Sequence, residues 1–132
     1  MVRVCIPDHE YKERVQRAAA ILQREKLDVL IVNGNEVDYA NPRYFSGFWP
    51  LFERAGVAIS AAGEAALMVG PESSIFGADR NKLDKIYVML AYRESANPAY
   101  PELKPDTFHD VFKGIGVTGT KLRIGVASFL RI

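Results

Sequence analysis

The sequence has little of the chemistry on which metal sites and disulfides depend. Cys5 is the only cysteine among 132 residues, so no internal disulfide can form, and a reduced, cytoplasmic setting is expected. A metal site needs three or four converging ligands, and there are only two histidines, His9 and His109. Cys5 and His9 are separated by Pro7 and do not share a helix face. We therefore predict no metal site in this chain.

Long apolar runs and an excess of one charge are also missing. No stretch approaches the roughly 20 apolar residues of a membrane helix, and the first residues are too quickly followed by charge for a signal peptide. Seventeen basic and sixteen acidic side chains are interspersed, with a net charge of +1. This balance gives no general field for nucleic acid or acidic membranes, so neither is expected as a partner.

The length and the apolar periodicities predict one α/β domain spanning residues 1–132. Tyr11, Val15, Ala18 and Leu22 form one apolar stripe on a long amphipathic helix. Helices are predicted over 8–26, from 41, over 71–81 and from 106, and strands over 27–32, 56–60, 65–69, 85–90 and 122–127. We expect a mixed sheet of about five or six strands, antiparallel through a hairpin at Gly63, with helices on both faces.

Local signals predict how the helices begin. Asp8 and Asp106 are expected as N-caps, because a carboxylate can accept from the free N–H groups of the first turn. Asn41 is expected to cap a short helix with Pro42 at its first position. The last helix is expected to carry three side chains inward, Phe108, Val111 and Phe112. A loop with three prolines, over 97–105, is expected before it.

Two catalytic or cofactor patterns fail on inspection. Ser46 precedes a glycine but lacks the Gly-x-Ser-x-Gly elbow, and Cys5 has no activating partner, so we predict no catalytic residue. Residues 114–119 match G-x-G-x-x-G, but they follow a helix and precede a strand, the reverse of the dinucleotide fingerprint. We interpret them as a helix C-cap and turn. An independent nucleotide-binding protein remains an alternative.

The segment 44–54 is the most distinctive part of the chain. It holds five aromatic residues and ends in the charged residues Glu53 and Arg54. Several of the rings are expected to fill the core, but Trp49 precedes a proline and is expected on a loop. An exposed tryptophan with a nearby arginine is a plausible edge for binding a partner or a substrate carboxylate.

Residues 41–48, Asn-Pro-Arg-Tyr-Phe-Ser-Gly-Phe, resemble the Asn-x-x-Tyr-Leu-Thr-Gly-Phe signature of creatinase, prolidase and aminopeptidase P N-terminal domains. The departures lie at Pro42, Phe45 and Ser46. The flanks also agree with the family, in the Tyr11-x-x-Arg14 pair, the apolar strand 27–32, Gly63 and the strand 121–126.

The resemblance implies a non-catalytic N-terminal domain of a two-domain Xaa-Pro dipeptidase. The parent's pita-bread domain, absent from this chain, would hold two divalent metal ions (manganese, cobalt or zinc) on two Asp, one His and two Glu. The family's N-terminal domain helps form a homodimer and reaches over the neighbouring subunit's peptide site. By this analogy the substrate-facing candidates are Arg54, Trp49 and Phe52. Two alternatives stay open: a protein-binding module of the same fold, or the N-domain of a creatinase-like amidinohydrolase.

Overall fold

The structure, a computed structural model, describes residues 4–94 and 102–127 of the chain. In chain order the elements are α1 (Asp8–Glu25), β1 (Val29–Gly34), α2 (Ala40–Ser46), β2 (Ala55–Ser60), β3 (Ala65–Val69), α3 (Ser74–Arg80), β4 (Ile86–Val88), α4 (Phe108–Gly114) and β5 (Ile124–Ala127), with 3₁₀ turns at Pro71–Ser73 and Leu90–Tyr92. The predicted order of helices and strands is confirmed, with boundaries that differ by a few residues.

The five strands form one mixed sheet in the order β4-β3-β2-β1-β5. β2 runs antiparallel to both β1 and β3, and the predicted hairpin turns at Gly63, which has a φ of 87°. The two outer strands, β4 and β5, pair in parallel with β3 and β1. The mixed α/β sheet is therefore confirmed.

Alternate strand residues point to two different cores, because side chains along a strand alternate between the faces of a sheet. On one face, Val57 and Ile59 pack under α1, whose predicted stripe is buried at Tyr11, Val15, Ala18 and Leu22. On the other face, Ala58 and Met68 pack under α4 through Val111 and Ile115. Helices therefore cover both faces, as predicted.

α1 begins where it was predicted to begin, but the prediction that Asp8 is its N-cap is wrong. The helix begins at Asp8 itself, with Pro7 in the N-cap position and no side-chain cap. Asp8 instead forms an ion pair with Lys82, Nζ to Oδ1 at 3.0 Å. Its charge still lies in the first turn, where a negative side chain is favourable beside the free N–H groups.

The predicted caps of α2 and α4 are also corrected. α2 begins at Ala40, so Pro42 is its third residue and Asn41 lies inside the helix. This position is tolerated because the first four N–H groups of a helix have no partner within the helix. α4 is capped by Thr107, whose Oγ1 accepts from the Asp110 N–H at 3.2 Å, while the Asp110 carboxylate accepts from the Thr107 N–H at 2.8 Å. The Thr-x-x-Asp pattern is a capping box that the sequence reading missed.

Asp106 and Phe108 take roles other than those expected. The Asp106 carboxylate accepts from the Val88 N–H at 2.8 Å, which ties the chain before α4 to β4. Phe108 is 38% exposed, so the expectation that it points inward is wrong, whereas Val111 is fully buried and Phe112 partly so. Phe108 lies at the first turn of a seven-residue helix and contacts Tyr92 and Phe112 by its ring.

The glycine-rich stretch 114–119 begins at the last residue of α4 and continues towards β5, and the predicted helix end and turn are confirmed. Gly116 and Gly119 have positive φ angles of 77° and 138°. These angles suit glycine and end the helix without building a phosphate-binding helix start. Of the predicted loop 97–105, residues 97–101 lie outside the described residues, and 102–105 contain no helix or strand. None of the helices in the described ranges is long and apolar enough to cross a membrane.

Candidate functional site

Three connecting segments meet at one end of the sheet. β1 ends at Gly34, which pairs with Ala55 at the start of β2, and Ala55 pairs with Val69 at the end of β3. The segments 35–39, 47–54 and 70–73 therefore leave the sheet side by side. We call this region the loop end, and it contains all three of the predicted substrate-facing residues.

The family-like motif shapes the loop end through its buried residues. The hydroxyl of Ser46 is fully buried, donates to the Pro42 carbonyl at 2.7 Å and accepts from the Phe48 N–H at 3.1 Å. Gly47 has a φ of 74°, and a side chain there would meet Lys82 and Tyr11. α2 therefore stops sharply, and Phe48, with no exposed surface, fixes where the following loop begins.

Trp49 lies half-buried at the start of that loop and has two arginines near its ring. The guanidinium carbon of Arg43, on α2, is 4.6 Å from the centroid of the Trp49 ring. The guanidinium carbon of Arg80, at the end of α3, is 5.8 Å from the same centroid and 4.6 Å from that of Phe76. Such cation–π contacts stabilise the ring's position and bring two positive charges to it.

Phe52 and Arg54 lie further along the loop and are exposed. Phe52 keeps 44% of its surface in solvent, and its neighbour Leu51 keeps 57%. Arg54 has no ion pair or hydrogen bond with any of residues 4–94 and 102–127, and its charge acts on Tyr92, which packs in the core under α4. Trp49 lies on the α2 and α3 side. The three candidates therefore share the loop end without forming one cluster, and their contact with substrate stays a prediction.

Tyr92 connects the α4 side of the loop end to β1. Its hydroxyl donates to Oδ1 of Asn33 at 2.6 Å. Burial raises the pKa of the Tyr92 phenol, and the nearby Arg54 charge opposes that rise. Tyr92 is therefore a neutral hydrogen-bond donor at physiological pH, and it holds its 3₁₀ turn against the sheet.

Glu53, between the exposed Phe52 and Arg54, is buried. It is 2% exposed, and its Oε1 accepts from the Ser73 N–H at 2.9 Å. Its Oε2 has no hydrogen-bond partner among the described residues. Burial raises the pKa of Glu53 to about 7, the Glu72 carboxyl beside it acts in the same direction, and the Ser73 N–H opposes both. This carboxyl is therefore partly protonated at neutral pH.

Gly70 provides the space that the Glu53 carboxyl occupies. A Cβ at Gly70 would collide with Oε2 of Glu53 and lie 2.6 Å from the Tyr92 carbonyl oxygen. The φ of Gly70 is −79°, an ordinary value, so the requirement for glycine here is one of space. Glu53 and Gly70 together join the loop 47–54 to the segment that follows β3.

Sequence reasoning treated Glu53 and Arg54 as an adjacent charge pair, but their side chains have opposite environments. It also missed Arg43 and Arg80 as neighbours of Trp49. The sequence gives only a weak indication that the Glu53 carboxyl is buried, which is its position just before an apolar strand. The approach of α3 to Trp49 depends on tertiary packing alone and has no sequence signal.

The described residues hold no cluster of three or more His, Cys, Asp or Glu side chains that could bind a metal ion. Within 4–94 and 102–127, the hydroxyl of the buried Ser46 is bonded to backbone partners and to no side-chain base. The loop end therefore offers aromatic surface and guanidinium groups, which are suited to binding.

An α/β domain with these features belongs to a recognisable class. The creatinase/prolidase N-terminal domain family matches residues 14–131, so the chain belongs to this family. No curated protein matches the sequence.

Solved structures support the same fold. The chain is similar to a creatinase/prolidase-like N-terminal domain from Corynebacterium diphtheriae (TM-score 0.54, 13% identity, covering 91% of this chain and 98% of that one). It is also similar to an Xaa-Pro aminopeptidase chain from Streptococcus pyogenes (TM-score 0.52, 15% identity, 92% and 95%). Against the prolidase from Pyrococcus horikoshii (TM-score 0.53, 14% identity) the match covers 89% of this chain but spans only 32% of that one.

Proposed function

We propose that this chain is the non-catalytic N-terminal domain of a cytoplasmic, metal-dependent Xaa-Pro dipeptidase. The observation that carries the proposal is the family match over residues 14–131, joined to a loop end that presents exposed aromatic and arginine side chains. The names of similar structures, a prolidase and an Xaa-Pro aminopeptidase, favour a peptide substrate. The missing hydrolytic chemistry belongs to a second domain, with two divalent metal ions on its carboxylates and histidine.

In this proposal the domain contributes to a homodimer and its loop end forms part of the rim of the partner's substrate site. Arg54 is the leading candidate for contact with substrate. Its guanidinium is exposed and uses none of its five donors on a described residue. A guanidinium in this state can form a paired hydrogen bond with a peptide carboxylate. Phe52 would supply apolar surface next to Arg54, and Trp49 would supply it on the α2 and α3 side of the loop end.

The Arg54→Ala substitution in the two-domain enzyme is expected to lower kcat/KM for an Xaa-Pro dipeptide by about tenfold or more, because a charge-assisted hydrogen bond is lost. The unfolding midpoint should not change, since the side chain is exposed and forms no ion pair or hydrogen bond with a described residue. The measurement is steady-state hydrolysis of Ala-Pro together with a thermal melt.

The matched control is Arg24→Ala on α1. Arg24 is also exposed, but it follows Gln23, which contacts Ala61 at the opposite end of the sheet. Equal kcat/KM values for wild type and Arg54→Ala would show that Arg54 does not contact the substrate. An equal loss in Arg24→Ala would show a general charge effect instead.

Two other functions use the same fold. A creatinase-like parent would hydrolyse an amidine in place of Xaa-Pro peptides, and a binding module would have lost the metal ligands of the second domain. The exposed apolar residues of the loop end fit a binding surface as well as a substrate rim. The presence of two Asp, one His and two Glu in an accompanying pita-bread domain favours the enzyme.

A further inference from the structure

The arginines of α1 and the arginines beside Trp49 differ in their acidic partners. On α1, the guanidinium of Arg14 lies 3.0 Å from Glu10, and Arg17 lies near Glu10 and Glu13. At the loop end, Arg43 has no carboxylate within 4 Å in the described part of the chain. The positive charge at Trp49 is therefore less compensated than the charge on α1.

The partners of Arg80 do not supply that compensation. Among the residues that the structure describes, Asp79 is its one acidic neighbour within 4 Å, at 3.7 Å, and the Asp79 side chain is 78% exposed. An exposed pair of adjacent residues at this separation is weak. Arg43 and Arg80 thus bring nearly two uncompensated positive charges to one ring.

The N–H groups of both arginines are available to a ligand. Neither guanidinium donates a hydrogen bond to any residue within 4–94 and 102–127, and each carries five N–H donors. The guanidinium carbons of Arg43 and Arg80 lie 4.6 and 5.8 Å from the Trp49 centroid. The two guanidinium carbons therefore lie no further apart than the sum of these distances.

We propose that Arg43, Trp49 and Arg80 form a binding site for an anion that carries two or more negatively charged oxygens, of the carboxylate or phosphate type. Trp49 orients the two guanidinium groups, and the anion relieves their mutual repulsion. The two arginines come from α2 and the end of α3, so the site depends on the tertiary fold. It is separate from the role proposed for Arg54 and does not depend on the function of a second domain.

Trp49 is the only tryptophan in the sequence, so its emission and its single indole N–H resonance report on this site alone. The chain is titrated at pH 7 with sodium pyrophosphate and, separately, with sodium citrate, while sodium chloride holds the ionic strength constant. We expect a saturable change in emission and a shift of the indole resonance. Response to pyrophosphate alone assigns a phosphate site, response to citrate alone a carboxylate site, and response to both a shared one.

The variants decide whether the two arginines form the site. Arg43→Gln and Arg80→Gln should each raise the dissociation constant about tenfold or more, because each loses charge-assisted hydrogen bonds. Arg43→Lys keeps the charge but loses the planar fork, and it should also weaken binding. Arg24→Gln removes one charge at the far end of the sheet and should leave the dissociation constant within twofold of wild type.

Several outcomes would overturn the proposal. A linear response to both anions, matched by sodium chloride, shows no site. A loss of binding in Arg24→Gln equal to that in Arg43→Gln shows non-specific attraction. The unfolding midpoint of each variant is measured in the same experiment. If Arg43→Gln is unfolded, Arg43→Lys and Arg80→Gln are compared with wild type instead. Unchanged binding in both of these variants would contradict the site.

Discussion

The Phe48→Ala variant is expected to lose about 3–5 kcal/mol of unfolding free energy, the cost of truncating a fully buried aromatic side chain. Phe48 has no exposed surface and packs in the core under α1. Its ring meets that of Phe76 in a T-shaped contact, with centroids 5.8 Å apart. The substitution removes this contact and leaves a cavity at the point where the loop end begins.

The same chemical change at Phe52 is the matched control. Phe52 lies in the same loop but keeps 44% of its surface in solvent, so Phe52→Ala should cost less than about 1 kcal/mol. Both variants are measured by urea unfolding followed by circular dichroism. Similar losses in the two variants would contradict the placement of Phe48 in the core.

Replacing Glu53 with glutamine is expected to raise the free energy of unfolding at pH 8 by about 2 kcal/mol. The folded-state pKa of Glu53 is about 7, against an ordinary value of 4.5, because burial and the adjacent Glu72 carboxyl disfavour its charged form. Each unit of pKa shift corresponds to about 1.4 kcal/mol of stability. The titration of Glu53 is coupled to that of Glu72, so the expected change in stability is smaller than the full shift would give. Glutamine keeps the oxygen that accepts from Ser73 and stays neutral.

The pH dependence follows from the sign of that shift. A carboxyl with a raised folded-state pKa contributes its stability below pH 4.5, and this contribution is lost as the pH rises towards 7. Wild type and Glu53→Gln should therefore differ little at pH 5 and most at pH 8. The pKa values of Glu10 and Asp110 are lowered, so the charges of these two groups affect stability only at more acidic pH than the range from about 5 to 8.

Urea unfolding at pH 5, 6.5 and 8 measures this difference between the two proteins. The control is Glu13→Gln, a similar change at a side chain that is 57% exposed, for which we expect a difference below about 0.5 kcal/mol at every pH. A Glu53→Gln variant less stable than wild type at pH 8 would show that the charged carboxylate is favourable in the fold, contrary to the account.

The fold was largely predictable because its main signals are local. The stripe from Tyr11 to Leu22 and the apolar strands set the layer order, and Gly63 set the hairpin. The errors concern choices that depend on neighbours. Asp8 could cap α1 but pairs with Lys82 instead, and Asp106 holds β4 while Thr107 takes the cap. Propensity alone does not decide between such partners.

The loop end was predictable in part. The Trp49-Pro50 step indicated a loop, and the family-like motif placed it after α2. The burial of Glu53 could not be predicted, because it depends on the space left by Gly70, 17 residues later in the sequence. Arg80, at the end of α3, approaches Trp49 only in the folded chain. Contacts between residues distant in sequence therefore determine most of the chemistry of this surface.

The central claim is that this domain serves a hydrolase without carrying its chemistry. Hydrolysis of Ala-Pro tests it most directly, measured with manganese, cobalt or zinc for the 132-residue chain alone and for the chain joined to a pita-bread domain. The account predicts turnover only when the second domain is present. Metal-dependent turnover by the 132 residues alone, or none by the joined protein with all five metal ligands intact, would contradict it.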